Sequence, residues 1–104
     1  MPNEPYNLLS RYKMIEEALS DVRLSKGDCA VLSVILSHVD ADGEAWPGMK
    51  RICDRARIQK RSAIRSVQRL EDAGYLTVDR VTGRSNTYQL IVHRSQTGVA
   101  NVTS

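Results

Sequence analysis

Apolar residues recur at Leu8, Tyr12, Ile15, Leu19 and Val22, alternately four and three apart, which draws one stripe along an amphipathic helix. With Pro5 suited to a first turn, the spacing predicts a helix from about residue 5 to 20. Over two heptads this spacing suits either of two arrangements, and packing in cis on the domain's own core is expected ahead of pairing with the same helix of a second copy. Next, Ser25 with Asp28 three residues on resembles a capping box and opens a helix reaching about His38. Its Ala30, Val31, Leu32, Val34, Ile35, Leu36 and Val39 leave almost no polar face, so this helix is expected at the centre of the core.

Asp40-Ala41-Asp42-Gly43 reads as a turn, and Glu44-Ala45-Trp46 as a short extended piece ended by Pro47. A helix of about 48 to 55 follows, with Met49, Ile52, Cys53 and Ala56 on one face, then a short break at Arg57-Ile58. Ala63, Ile64, Val67, Leu70 and Ala73 recur at helical spacing and predict a helix from about Lys60 to Ala73, stopped by Gly74. Tyr75 to Val78 and Thr87 to Val92 read as the two strands of a hairpin turning at Thr82-Gly83. Tyr12, Tyr75 and Tyr88 are expected to pack in the core. The order predicts an α+β, mainly α chain: a winged helix-turn-helix with an N-terminal extra helix and a C-terminal β-hairpin wing. The expected division is an N-terminal amphipathic helix at 1-22, a winged helix at 23-93, and a flexible tail or linker stub at 94-104.

Length and composition add that 104 residues suit one domain, with 41% apolar and 26% charged residues ordinary for a soluble protein. No apolar run approaches the roughly 18 residues of a membrane span, and the N-terminus lacks the basic region of a signal peptide, so a cytoplasmic protein with no membrane partner is expected. Cys29 and Cys53 lack metal or redox spacing and are expected as buried free thiols. His38 and His93 do not complete a convincing ligand set, so no metal and no cofactor are expected. No nucleophile, base and acid fall at suggestive spacing, so an enzyme is not expected.

Charge changes the picture most. Lys50, Arg51, Arg55, Arg57, Lys60, Arg61, Arg65 and Arg69 face one acid, Asp54, within 50 to 69, a net charge of +7 in a chain of +3 that leaves the other residues at −4. Localised positive charge on an otherwise acidic chain is the electrostatic footprint of a nucleic-acid site. On the last helix, Gln59, Lys60, Arg61, Ser62 and Arg65 are placed to read base edges, since Arg can bond guanine and Gln adenine with two hydrogen bonds each. Lys50, Arg51, Arg55, Arg57, Ser66 and Arg69 are expected to hold phosphates, and Arg80, Arg84, Ser85 and Asn86 to act from the wing on the adjacent minor groove. The expected partner is double-stranded DNA. A homodimer through residues 5-22 and a replication or host protein partner stay open beside it, the latter as an interaction module docking on an acidic protein.

From Leu24 to Leu90 the chain resembles the winged-helix domain of phage and plasmid replication initiators of the replication protein O type and related small regulators. The resemblance rests on LSHVDADGEAWPG at 36 to 48, RSAIRSVQRLEDAGYL at 61 to 76 and GRSNTYQL at 83 to 90. It implies DNA binding at an origin or operator, as initiator domain or repressor, with base reading mapped onto Gln59, Lys60, Arg61, Ser62 and Arg65. The wing maps onto Arg80, Arg84 and Asn86. The family pattern usually has Ser after the Trp-Pro, Gly in the tight turn and Ser opening the recognition helix. This chain has Gly48, Arg57 and Gln59 there. The ending TGVANVTS resembles the linkers that follow this domain in longer initiators.

Overall fold

A computed structural model describes residues 6–80, 83 and 85–92. The expected tail, His93, Pro5, Thr82 and Arg84 lie outside these described residues. Helix α1 spans Leu8–Ser20 and starts later than Pro5 suggests, because the Asn7 side chain accepts from Ser10 N and caps it. Helix α2, Lys26–Leu36, opens with the expected capping box: Asp28 N donates to Ser25 Oγ at 3.1 Å, and Ser25 N to Asp28 Oδ2 at 2.9 Å. It buries Cys29, Val31, Leu32, Val34, Ile35 and Leu36, and the other elements pack around it.

Strand β1 is Glu44–Ala45, helix α3 Met49–Ala56, helix α4 Lys60–Asp72, strand β2 Leu76–Asp79 and strand β3 Thr87–Leu90. The sheet order is β1-β3-β2, all antiparallel, with Ala45 opposite Tyr88 and Leu76 opposite Leu90. Ala45, Leu76, Tyr88 and Leu90 turn inward, so the sheet closes the core on one side. Two short helices joined at a tight turn and followed by a β-hairpin are a winged helix-turn-helix, with α1 laid against α2.

Gly43 makes the turn into β1 at φ +83, and a side chain there would overlap the Tyr6 ring. Tyr6 in turn donates its hydroxyl to Leu90 O at 2.7 Å. At the other end of α1, Asp21 accepts from Arg23 and, at 3.0 Å, from the Tyr75 hydroxyl. Those hydrogen bonds, led by the one from Arg23, hold the Asp21 carboxyl well below the usual carboxylate range. Burial and the neighbouring carboxylate push the Tyr75 phenol up.

The stripe on α1 needs correction. The face turned to the core carries Met14 and Ala18, with Ile15 half-buried beside them. Leu8, Tyr12, Leu19 and Val22 are exposed by 79%, 62%, 60% and 98%, so Tyr12 does not share the buried setting of Tyr75 and Tyr88. Met14 and Ala18 sit four apart on their own line, roughly one residue's rotation from the expected stripe. Cys29 and Cys53 are both free thiols, Cys29 buried and Cys53 half-buried. Burial pushes the Cys29 thiol up.

Candidate nucleic-acid interface

The turn between α3 and α4 sets the geometry of the basic surface. Arg57 adopts the left-handed conformation at φ 61, ψ 47, and its N–H donates to Cys53 O at 2.8 Å. Ile58 N donates to the same oxygen at 3.2 Å while its side chain packs against the core. Here the chain uses arginine where glycine would be at ease, and this is the one non-glycine positive φ among the described residues.

Along α4, Ala63, Ser66, Val67 and Leu70 face inward. The opposite surface carries Lys60, Arg61, Ile64, Arg65 and Gln68, all exposed, with Ser62 and Arg69 along one flank. Gln59 is exposed at the N-cap position and makes no side-chain cap. Lys50, Arg51, Arg55 and Arg57 are exposed on α3 and the turn. Of these, Lys50 pairs with Asp54 at 2.9 Å across one helical turn. Arg51, Arg55, Arg57, Lys60, Arg61 and Arg65 pair with no acid among the described residues.

The first turns of α3 and α4 hold no acidic residue and no side-chain cap. They carry Lys50 and Arg51, and Lys60 and Arg61, at the positive end of the helix dipole. Like charge there is destabilising by a few tenths to about 1 kcal/mol, and an anion lying across the two helix starts would reverse the sign.

Two expected phosphate ligands are placed elsewhere. Ser66 is 2% exposed and donates to Asp28 Oδ1 at 2.7 Å. Arg69 forks onto the same carboxylate, Nε to Oδ2 at 2.8 Å and Nη2 to Oδ1 at 2.9 Å. Asp28 is fully buried at the start of α2, and a buried carboxylate recruits the nearest cation and hydroxyl. Burial alone would raise the Asp28 carboxyl, but Arg69, the Ser25 backbone and Ser66 together hold it below its ordinary value. The guanidinium of Arg69 is raised by the same contact. This triad fixes the rotation of α4 against α2.

At the wing, Arg80 reaches back to Glu71 at 3.2 Å. Ser85 is exposed, Asn86 is half-buried, and both line a hollow with Met49, Gly83 and Tyr88 between the start of α3 and the wing. The outer surface of α4 thus carries Lys60, Arg61 and Arg65 around one hollow, Lys50 and Gln59 meet Lys60 where α3 approaches the start of α4, and Arg51, Arg55 and Arg57 are exposed on α3 and the turn. Ile64 and Gln68 join that surface and were missed: Ile64 looks like a core residue by type, and Gln68 lies beyond the basic run's first turns. Gln68 donates to Asp72 at 3.0 Å.

Among the described residues no group of His, Cys, Asp and Glu could hold a metal ion, and no helix is long and apolar enough to cross a membrane. No curated protein sequence matches the chain. Among solved structures, a homodimeric winged helix-turn-helix DNA-binding domain of Mycobacterium bovis, described as a possible ArsR-family transcriptional regulator, is similar at 14% identity. The match covers 86% of this chain and 72% of that one with a TM-score of 0.45, a likeness from which nothing about individual residues follows. A family model described as a helix-turn-helix domain matches residues 22–76, which span α2 to the start of β2. More than half of the chain lies within that match, and the chain belongs to this helix-turn-helix domain family.

Proposed function

We propose that the chain binds double-stranded DNA sequence-specifically, with α4 in the major groove and the wing on the adjacent minor groove. In this reading Lys60, Arg61, Ser62 and Arg65 read base edges, and Arg51, Arg55 and Arg57 hold phosphates. The observation that carries it is the set of six exposed cations on α3, α4 and their turn, none paired with a described acid. The resemblance at residues 36 to 48, 61 to 76 and 83 to 90 supports a setting at a phage or plasmid origin or operator, as initiator domain or repressor. A fluorescence-anisotropy titration tests the binding. With four to six phosphates neutralised, log K falls against log salt with a slope between about −4 and −5. A slope near zero refutes the charge reading. Reversing Arg61 and Arg65 to Glu removes the footprint; a footprint that survives reversal refutes their role, and no footprint to begin with favours docking on an acidic protein partner.

A second reading concerns α1. Leu8, Tyr12, Ile15 and Leu19 form a line that the core does not cover, apart from half-buried Ile15. In an antiparallel pair of two copies, Leu8 would meet the partner's Leu19 and Tyr12 the partner's Ile15. The line is then apolar against apolar along its length, so the occupant we favour is a second copy of this chain. The helix is about 20 Å long, so such an interface is at the small end of the stable range and predicts micromolar affinity. Light scattering should give twice 11.6 kDa at high concentration. Leu19→Glu should return the mass to that of one chain, and a monomer throughout refutes pairing.

A further inference from the structure

Ile64 is the one large apolar residue of α3 and α4 that the fold does not use. It is 50% exposed and lies outside the buried core. It lines a shallow hollow on the outer surface of α4 together with Lys60, Arg61 and Arg65. Isoleucine is a poorer helix former than the Lys, Arg and Gln around it, so neither solvent nor helix favours it at this position. The surface that holds it is otherwise cationic and polar.

The DNA major groove offers one kind of apolar group to a recognition helix, the 5-methyl of a pyrimidine, carried by thymine and by methylated cytosine. We infer that Ile64 reads such a 5-methyl group beside a guanine bound by Arg61 or Arg65. The inference rests on the proposed seating of α4 in the major groove. Arg61 lies one turn before Ile64 on the same side, and Arg65 is the next residue. Each arginine is long enough to reach guanine O6 and N7, while the shorter isoleucine meets a methyl that projects into the groove. With two guanidinium groups flanking it, the methyl contact is shielded from water on both sides. The burial of Ile64 against that methyl then adds to specificity without adding to the salt dependence.

The test starts from duplexes selected from a random pool by the full chain. Each thymine in the selected site is replaced singly by deoxyuridine, and each cytosine by 5-methylcytosine, changes that alter only the methyl group. The expected result is one position where loss of the methyl weakens binding about fourfold, the worth of one buried methyl-sized group. Sensitivity at a thymine or at a methylated cytosine identifies which base supplies it. Ile64→Ala should bind the methylated and unmethylated duplexes alike, and Ile64→Val should keep most of the difference, both variants melting like the parent because the site is exposed. Uniform affinity across every replacement, or a methyl preference that persists in Ile64→Ala, overturns the inference and leaves DNA binding standing. A chain that binds no duplex removes both.

Discussion

Replacing Asp28 with Ala should be among the most damaging single changes in this domain. The carboxylate is fully buried and accepts from Ser25 N at 2.9 Å, Ser66 Oγ at 2.7 Å, Arg69 Nε at 2.8 Å and Arg69 Nη2 at 2.9 Å. Without it, the buried Ser66 hydroxyl loses its acceptor, at a cost of about 1 to 3 kcal/mol. The reciprocal half of the capping box is lost for roughly another 1 kcal/mol. The Arg69 fork is worth less than a fully buried pair, since its side chain is 46% exposed and can turn to water, so about 1 kcal/mol is assigned to it. Together these give about 3 to 5 kcal/mol, a large share of the 5 to 15 kcal/mol typical of a domain. Urea unfolding at pH 7 measures it as a shift of midpoint with unchanged slope. A second reading comes from acid. The folded-state carboxyl lies below its ordinary 3.8, so its contribution is fully present above that value and is lost as pH falls through the folded pKa. The stability gap between parent and variant should therefore be constant near neutrality and narrow below about pH 4. A loss under about 1 kcal/mol, or a gap unchanged in acid, would show that the triad does not anchor α4.

Other consequences are simpler to state. Arg57→Gly should raise stability by about 0.5 to 1 kcal/mol by relieving the left-handed arginine, while weakening duplex binding severalfold; a melt and a titration on one sample measure both. Gly43→Ala should cost about 2 kcal/mol or more, because it combines positive φ with overlap on Tyr6, and thermal denaturation would expose an error if the midpoint stayed put. Ser66→Ala should lower stability by about 1 kcal/mol and leave the salt slope of DNA binding untouched, since its hydroxyl is spent on Asp28.

Helix order, the hairpin and the capping box at Ser25 could be read from period and cap chemistry because those signals are local. What escaped was the choice among faces of one helix. On α1 two apolar lines compete: the longer one, through Leu8, Tyr12 and Leu19, was the natural choice from spacing, yet the core takes Met14 and Ala18. Only the packing against α2 decides between them. Ser66 lies three after Ala63 and four before Leu70, so helical period alone puts it inside; its polar type argued outward, and the compensating acid is 38 residues away. The fork of Arg69 onto Asp28 was hidden for the same reason, as no local rule links two residues on different helices. Ile64 was the reverse case, an apolar type read inward where rotation places it outward.

The last strand among the described residues is the middle strand of the sheet. Among the described residues β1 and β2 each pair in the sheet with β3 alone, Glu44 with Gln89 and Ala45 with Tyr88, and the Tyr6 hydroxyl is held by Leu90 O. The N-terminal segment and the turn before α3 are therefore both tied to residues 88–90. The three helices of the helix-turn-helix unit can gather through contacts close in sequence, and the β2–β3 hairpin is local as well, but adding β1 to β3 closes a loop of about 45 residues. A chain cut just before Thr87 would contain every residue proposed to read bases and still lack the strand on which its two halves meet.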